Sequence, residues 1–230
     1  MPPRSAKPAV ASTRICFVRH ATTPTTGKVL PGRAKGLHLS ERGLAEAEKA
    51  GERLVGLGPV AALYCSPLER ARETATAIGR RLGLDAVVER GLVECDFGEW
   101  TGAELAELRK KPEWQAVQLH PSGFRFPGGE SFVEVQARMA GVTEQLCARH
   151  RGGTVVAVSH ADPIKIAVGD ALGVPLDLVQ RTVVSPASVS LVLYGPAGPT
   201  VLAVNSTGDL GAFAPPALNG QRRRRAQEPA

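Results

Sequence analysis

The run Thr-Val-Val-Ala-Val at positions 154–158 constrains the fold more than any other stretch of the sequence. A strand with one face in water alternates apolar and polar residues, whereas a strand inside a parallel sheet is buried on both faces and is apolar throughout. The run therefore predicts a central parallel strand. The apolar residues 15–18 predict a second buried strand, which ends abruptly on Arg19 and His20.

Stretches with helical spacing of apolar residues separate the predicted strands, which is the pattern of α/β proteins. The predicted helices cover residues 41–55, 67–82, 102–110, 130–150 and 163–172, and the other predicted strands cover 60–64, 86–88, 188–193 and 200–204. The last two strands flank a turn rich in Gly and Pro and predict an antiparallel hairpin at the sheet edge. The expected fold is α/β, a three-layer α/β/α sandwich with a mostly parallel central sheet.

Capping signals refine where these helices begin and end. Ser40 is the expected N-cap of the first helix, whose predicted buried face carries Leu44, Ala47, Gly51, Leu54 and Val55. The other expected starts are two capping boxes, Ser66 with Glu69 and Thr101 with Glu104, and an Asp162 cap followed by Pro163. Pro112 is expected to end a helix, so residues 112–129 are interpreted as a long loop, either a lid or a loop packed by its own aromatic residues.

The length and apolar content of the chain, 230 residues and 43%, suit one domain with a proper core. We expect a disordered leader at residues 1–12, a domain at 13–210 and a disordered basic tail at 211–230. Four of the net +6 charges come from the arginines at 222–225, which leaves +2 for the rest of the chain. A body this weakly charged does not favour a nucleic-acid partner.

The cysteines bear on the compartment and on metal binding. Cys16, Cys65, Cys95 and Cys147 lie far apart, and none forms a Cys-x-x-Cys or a Cys-His pair at ligand spacing. This argues against a zinc site and a disulfide framework and favours a reducing cytoplasm. No apolar run approaches the ~18 residues of a membrane span, and the N-terminus lacks the apolar core of a signal peptide. We therefore expect a cytoplasmic protein with no membrane partner.

Basic residues follow the ends of several predicted strands. Arg19 and His20 end the first strand, His160 follows the central run, and Arg70 lies in the first turn of the second helix. Ligands of open α/β sheets bind just outside the carboxyl ends of the strands, so these four side chains are expected to meet at one edge. Each residue alone fits a structural or surface role as well, and their shared position is what favours a site.

Such a set suits phosphoryl transfer, which needs a nucleophile and fixed positive charge around the phosphate oxygens. Neutral His20 would attack phosphorus and form a phosphohistidine, while Arg19, Arg70 and His160 hold the oxygens. A carboxylic acid would protonate the leaving oxygen and then activate water. The candidate acids are Glu94, Asp96 and Glu99. The spacing of these three residues does not show which of them is the acid. The chemistry requires neither a metal nor a cofactor.

Four motifs at these positions resemble those of the histidine phosphatase superfamily, also called the phosphoglycerate mutase-like family. They are Val-Arg-His-Ala-Thr-Thr at 18–23, Ser-Pro-Leu-Glu-Arg-Ala-Arg-Glu-Thr-Ala at 66–75, Glu94 with Gly-Glu-Trp-Thr-Gly at 98–102, and Val-Ser-His at 158–160. The match spans residues 15–205 in the family's order, and the four motifs together are highly specific. The segments around Glu94 and His160 also resemble an actinobacterial subgroup whose members are described as phosphomutases.

The resemblance implies a phosphoglycerate mutase-like fold and a metal-independent phosphomonoester hydrolase that acts on a small phosphorylated metabolite. The catalytic residues it implies are His20, Glu94 and His160, and the phosphate-binding residues are Arg19, Arg70 and His160. In this assignment His20 becomes phosphorylated and Glu94 donates the proton. Thr26 and Arg33 are the expected substrate contacts.

Two positions depart from the family's pattern. Ala21 replaces the usual glycine after His20, and its methyl group could constrain how closely the backbone and the phosphate approach each other. Thr26 stands where many members have asparagine, which alters the hydrogen bonding around the pocket. The core groups are all present, so we predict that activity is retained.

Two other functions remain as alternatives. A phosphoglycerate mutase-type phosphomutase would return the phosphoryl group to the substrate instead of to water. An inactive module that only binds phosphorylated ligands would be expected to have lost a core group, and none is missing. The partner expected in every case is a small phosphomonoester, and a homodimer is an open alternative to a monomer.

Overall fold

The computed structural model describes residues 11–214 of the chain. Most of the predicted leader and almost all of the predicted tail therefore lie outside the described residues, and the domain limits at residues 13 and 210 remain predictions. At the C-terminal limit, Leu210 is buried, and Gly211–Phe213 form a short 3-10 turn against the body of the protein.

Six strands form one sheet, with the order β3-β2-β4-β1-β5-β6. They are β1 Thr13–Arg19, β2 Ala62–Cys65, β3 Ala86–Val88, β4 Thr154–Ser159, β5 Val189–Gly195 and β6 Gly198–Ser206. The first four are parallel, whereas β5 and β6 form the antiparallel hairpin at the edge. All six residues of β4 are buried between β2 and β1, which confirms the central parallel strand predicted from its apolar run.

Helices cover both faces of the sheet. They are α1 Glu41–Val55, α2 Glu69–Leu82, α3 Leu105–Leu108, α4 Pro112–Leu119, α5 Phe132–Arg149 and α6 Ala161–Leu172. Alternate residues of β1 point into two separate cores: Ile15 and Phe17 pack with residues of α5 and α6, and Cys16 and Val18 pack with residues of α1 and α2. The predicted three-layer α/β/α sandwich is confirmed.

The strand register brings three strand ends to one place. Arg19 lies opposite Ser159 in the parallel pair of β1 and β4, and the backbone N–H of His20 donates to the carbonyl of Ser159 over 2.9 Å. On the other side of β4, the N–H of Ser66 donates to the carbonyl of Val158, also over 2.9 Å. The residues that follow β1, β2 and β4 are therefore neighbours at a single edge of the sheet.

Four predicted helix starts are wrong, and in each the helix begins at another residue. The helix predicted from residue 130, α5, begins at Phe132 with Ser131 as its N-cap. α2 begins at Glu69 with Leu68 as its N-cap, α3 begins at Leu105, and α6 begins at Ala161 with His160 as its N-cap. Ser66 and Thr101 therefore cap no helix, and Asp162 lies inside the first turn of α6. The Ser66 hydroxyl instead bonds to His160, and this tertiary partner competes with local capping.

The interpretation of residues 112–129 as one long loop is also wrong. Pro112 begins α4 rather than ending the preceding helix, because proline lacks the N–H that the first helical position leaves unpaired. The predicted face of α1 needs a correction as well, since Leu44 and Val55 are 49% and 51% exposed. The small residues on α1 face α2, where a Cβ on Gly51 would collide with the side chain of Arg81.

Other local predictions are confirmed. The Ser40 side chain caps α1 by accepting from the N–H of Gly43. The apolar stripe of α5 from Phe132 to Leu146 is buried, and Gly83 ends α2 in the left-handed conformation. None of the helices within residues 11–214 is long and apolar enough to cross a membrane.

Candidate active site

His20 is the first residue after β1, and its ring is held in one orientation. Its Nδ1 lies 2.8 Å from the carbonyl oxygen of Ala21. A carbonyl can only accept, so Nδ1 carries the hydrogen and Nε2 keeps a free lone pair. The Arg70 Nε–H donates to that lone pair over 3.3 Å. Nε2 is therefore the ring nitrogen that carries the lone pair, and it faces the guanidinium group of Arg70.

The environment of His20 keeps the imidazole neutral. Its side chain is 4% exposed. Burial lowers the pKa of His20 well below 6.5, and the positive charges of Arg70 and Arg19 lower it further. A neutral imidazole has the lone pair that a nucleophile requires, so His20 is suited to nucleophilic attack near neutral pH.

His160 follows β4 and lies beside His20, with the two ring centroids 5.1 Å apart. The Nε2 of His160 lies 2.7 Å from the Ser66 hydroxyl, which itself accepts from the N–H of Leu68 over 3.4 Å. When the Ser66 hydroxyl donates to Nε2, the hydrogen of His160 lies on Nδ1, which is then a donor. Burial, followed by the charge of Arg70, holds the pKa of His160 well below 6.5, so this ring is neutral too.

Three buried nitrogens at this edge have no hydrogen-bond partner among the described residues: Arg19 Nε, Arg70 Nη1 and His160 Nδ1. The far ends of both guanidinium groups are anchored, Arg19 Nη1 to the carbonyl of Val184 and Arg70 Nη2 to that of Gly32, each over 2.7 Å. A buried donor without a partner costs about 1–3 kcal/mol. Donors of this kind are suited to the oxygens of an anion.

Glu94 is the only one of the three candidate acids that lines the pocket. Asp96 instead accepts from the N–H of Gly98 and pairs with Arg33. Burial, followed by the negative charge of Asp162, raises the pKa of Glu94 to about 7, while Arg70 and Arg19 act in the opposite direction. Glu94 can therefore hold a proton near neutral pH and release it there, as a general acid and base must.

The pocket extends outward from His20 and encloses about 420 Å³. One wall of its outer part is apolar and carries Leu105, Trp114 and Val117. The other wall is polar: Lys165 Nζ lies 2.8 Å from Gln180 Oε1 and 3.5 Å from Asp162 Oδ1. This outer part is large enough for an organic leaving group with one apolar and one polar side.

The structure separates the two predicted substrate contacts. Thr26 lines the pocket, where its Oγ1 accepts from the N–H of Thr23 over 2.9 Å. Arg33 is not among the lining residues; it lies behind Glu94, whose backbone carbonyl accepts from Arg33 Nε over 2.9 Å. Ala21 is fully buried and donates its N–H to Thr74 Oγ1 over 3.1 Å. Its φ is not positive, so no left-handed conformation demands the glycine that the family prefers there.

Sequence reasoning missed the parts played by Ser66, Asp162 and Lys165. Ser66 orients His160, and the other two form the polar wall. The positions of two of them in the sequence could have indicated a place in the site. Ser66 directly follows β2, and Asp162 lies two residues after His160, just past the end of β4. Within the described part of the chain, no group of three or more His, Cys, Asp or Glu side chains is arranged to hold a metal ion.

Comparison with known proteins agrees with this geometry. The model of the histidine phosphatase superfamily (branch 1) matches residues 15–207. The chain belongs to this superfamily.

A Mycobacterium tuberculosis protein named as bifunctional is 35% identical over 206 residues, which are 86% of this chain and 55% of the relative. The chain thus spans about half the length of that relative. Phosphoserine phosphatase 1 of Hydrogenobacter thermophilus is 32% identical over 205 residues, 87% of this chain and 95% of the relative. The structure of a mycobacterial glucosyl-3-phosphoglycerate phosphatase matches with a TM-score of 0.77 at 25% identity, and the match covers 85% of this chain and 100% of that one.

Proposed function

We propose that the protein is a phosphomonoester hydrolase that acts on a small phosphorylated metabolite through a phosphohistidine at His20. The observation that carries this proposal is the set of three unpartnered buried donors around a neutral histidine, on Arg19, Arg70 and His160. A phosphoryl group has three oxygens to accept from such donors, and its phosphorus would face the lone pair of His20 Nε2. The phosphatases among the relatives support the same chemistry.

In the first step, His20 Nε2 attacks phosphorus and forms a P–N bond while the bond to the leaving oxygen breaks. Arg19, Arg70 and His160 bind the phosphoryl oxygens, and these donors are in place before the substrate arrives, so no reorganisation is needed during the reaction. Glu94, protonated near neutral pH, gives its proton to the leaving alkoxide.

In the second step, the Glu94 carboxylate takes a proton from water, and the resulting hydroxide attacks the phosphorus of phosphohistidine. The P–N bond breaks, inorganic phosphate leaves, and both His20 and Glu94 return to their starting protonation states. The hydrogen bond from His20 Nδ1 to the Ala21 carbonyl stabilises the positive charge that the ring acquires when its Nε2 is phosphorylated.

Turnover of phenyl phosphate by the wild type and by His20→Ala tests the proposal. We expect phosphate release from the wild type only, with the variant unfolding at a similar temperature. Equal rates in the two proteins, or no release by either, would contradict it. A panel of sugar phosphates, phosphoglycerates and nucleotides then identifies the metabolite, because the outer pocket rather than the phosphate-binding donors would select it.

A phosphomutase would use the same first step and differ in the second, where the phosphoryl group returns to a substrate hydroxyl. Incubation with labelled 3-phosphoglycerate separates the two reactions: a hydrolase releases labelled inorganic phosphate, and a mutase forms 2-phosphoglycerate. We expect the hydrolase outcome with any phosphomonoester that is turned over.

Two further parts of the proposal concern the cell and the assembly. The four cysteines are free thiols, three of them buried, which supports a cytoplasmic location. Homodimer formation stays a prediction. Light scattering during size-exclusion chromatography would give the mass in solution, to be compared with 24.2 kDa for one chain.

A further inference from the structure

Two adjacent residues, Gly32 and Arg33, contact two different parts of the proposed active site, the phosphate-binding Arg70 and the proton donor Glu94. The Gly32 carbonyl accepts from Arg70 Nη2 over 2.7 Å, and Arg33 Nε donates to the Glu94 carbonyl over 2.9 Å. Arg70 comes from α2 and Glu94 from the irregular segment that follows β3. The two residues therefore tie a phosphate-binding side chain to the backbone of the proton donor.

The rest of the Arg33 guanidinium is bound by carboxylates. Its Nη2 lies 2.9 Å from Glu130 Oε2, and its Nη1 lies 3.5 Å from Asp96 Oδ2. Glu130 Oε2 also accepts the N–H of Asp96 over 3.1 Å. Arg138 pairs with Glu130 over 3.2 Å and donates to the Gly91 carbonyl over 2.8 Å. The segment that carries Glu94 is thus fastened before, at and after that residue.

Gly32 lies close against the same segment. Its φ of +49° lies in the left-handed region, which residues other than glycine rarely adopt. A Cβ built there would lie 2.8 Å from Thr101 Oγ1 and 3.2 Å from Phe97 Cδ2. The neighbouring Leu30 exchanges two backbone hydrogen bonds with residues 102 and 103. The close contact between residues 30–32 and residues 97–103 leaves little space for either segment to move relative to the other.

We infer that Arg33 is a positioning residue for Glu94, and that the Gly32–Arg33 pair sets the separation between the phosphate-binding Arg70 and the proton donor. This inference rests on the proposed function and assigns Arg33 a part other than substrate contact. Arg33 acts from behind Glu94, through the backbone carbonyl, and its charge is compensated by Glu130 and Asp96 rather than kept for a ligand.

The physical basis of the inference is the short range of proton transfer. A general acid must come within about 2.6–3.2 Å of the atom it protonates, and a misplacement of about 1 Å can cost about 10²-fold in rate. A displaced Glu94 would slow only reactions whose leaving group needs a proton. Attack by His20 and binding of the phosphoryl oxygens would continue, since Arg33 touches none of those groups.

The test compares kcat/KM for phenyl phosphate and p-nitrophenyl phosphate, two substrates of similar shape. The phenolate leaving group is the more basic and depends on the acid, whereas p-nitrophenolate departs unaided. Arg33→Lys keeps the positive charge near Glu130 and Asp96, but its single ammonium cannot also bind the Glu94 carbonyl. We expect it to lose about tenfold on phenyl phosphate and less than about threefold on p-nitrophenyl phosphate. Glu94→Gln should show the same selectivity with a larger loss.

Competitive inhibition by inorganic phosphate gives a second readout, and we expect Arg33→Lys to leave it unchanged within about twofold because the phosphate donors are untouched. Arg80→Gln is the matched control for the stronger variant Arg33→Gln, since Arg80 forms an exposed ion pair with Glu48 far from the pocket. Arg80→Gln should have the same rates and the same phosphate inhibition as the wild type.

Equal losses on both substrates, or weaker phosphate inhibition, would overturn the inference and indicate a general structural role. A third outcome would be a loss that depends on the distal part of larger substrates whose leaving groups are equally basic. That outcome would show that Arg33 contacts the substrate. A wild type inactive on both substrates would instead contradict the proposed function. If Arg33→Gln fails to fold, Arg33→Lys alone decides.

Discussion

The inner and outer halves of the pocket are built differently. The inner half consists of the buried His20, Arg70 and His160 and the partly buried Arg19, and each of these side chains is anchored to a backbone carbonyl or a hydroxyl. Arg19 and His20 line the cavity, and Arg70 and His160 lie directly against His20. The outer half comes from α3, α4, α6 and the segment before β5. It contains an exposed Arg109 and a partly buried Trp114, and the Lys165 side chain bonds only to other side chains.

This difference follows from where the residues lie in the fold. The hydrogen bonds of the sheet fix the strand ends that carry Arg19, His20 and His160, and Arg70 lies in the first turn of the helix that follows β2. Helices and loops at the rim are held by fewer contacts, and they can vary without disturbing the sheet. Under the proposed function, the inner half would determine the reaction and the outer half would determine which phosphomonoester is accepted.

The largest effect is expected when an inner donor is removed. Arg70→Ala deletes one unpartnered donor and the guanidinium next to His20 Nε2, and should lower kcat by about 10²- to 10³-fold on every substrate. Arg72→Ala is the matched control, because Arg72 is exposed on the same helix. Steady-state rates on a substrate panel check the prediction, and a loss confined to some substrates would contradict the separation of the two halves.

A smaller loss is expected when the orientation of His160 is disturbed. Ser66→Ala removes the hydroxyl that bonds to His160 Nε2, so the ring is no longer held with its hydrogen on Nδ1. We expect kcat/KM to fall by about tenfold, equivalent to about 1.4 kcal/mol. Inhibition by inorganic phosphate should weaken in parallel. Unchanged inhibition would mean that His160 does not bind the anion.

Asp162→Asn is expected to change the pH profile more than the rate. Glu94 is faced by the positive Arg70 and Arg19 and by the negative Asp162, and that negative charge raises the pKa of Glu94. Its removal lowers this pKa, so Glu94 loses its proton at lower pH and the alkaline decline in kcat/KM moves to lower pH. The profile for phenyl phosphate measures the shift. Asp85→Asn, an exposed control, should leave the decline of the wild type in place, near pH 7.

The smallest effect on the chemistry is expected from the outer wall. Trp114→Ala should change kcat/KM for p-nitrophenyl phosphate by less than about threefold. The ratios of kcat/KM between the metabolites of the substrate panel should change by about tenfold. Leu119→Ala is the matched control, because Leu119 lies on the same helix, is 74% exposed and does not line the pocket. A uniform loss across the panel would show that Trp114 supports the inner half.

Much of the inner half could be predicted from the sequence, because fully apolar runs mark buried parallel strands and the next residue marks the sheet edge. His20 and His160 follow from this pattern, and Arg70 follows from its place in the first turn of the predicted second helix, without any comparison of motifs. The spacing of the residues does not identify the acid, since three carboxylates share one irregular segment, and Glu94 is implied only by the resemblance of motifs. The structure agrees, because of the three only Glu94 lines the pocket.

The outer half and several contacts behind the inner half could not be predicted, for two physical reasons. Capping signals reflect local competition, and a tertiary partner can win it, as His160 does for the Ser66 hydroxyl. Trp114 of the apolar wall lies on a short helix and Gln180 of the polar wall on a 3-10 segment, and neither element is long enough to show an apolar period in the sequence. The position of Arg33 behind Glu94 likewise depends on contacts far apart in the sequence.

Trapping the phosphoenzyme tests the central claim most directly. The wild type is mixed with radiolabelled phenyl phosphate, quenched in alkali within milliseconds, and digested for mass spectrometry. We predict an acid-labile, base-stable phosphoryl group on Nε2 of His20, because Nδ1 is occupied by the Ala21 carbonyl. Label on another residue, on Nδ1, or in equal amount on His20→Ala would contradict the account.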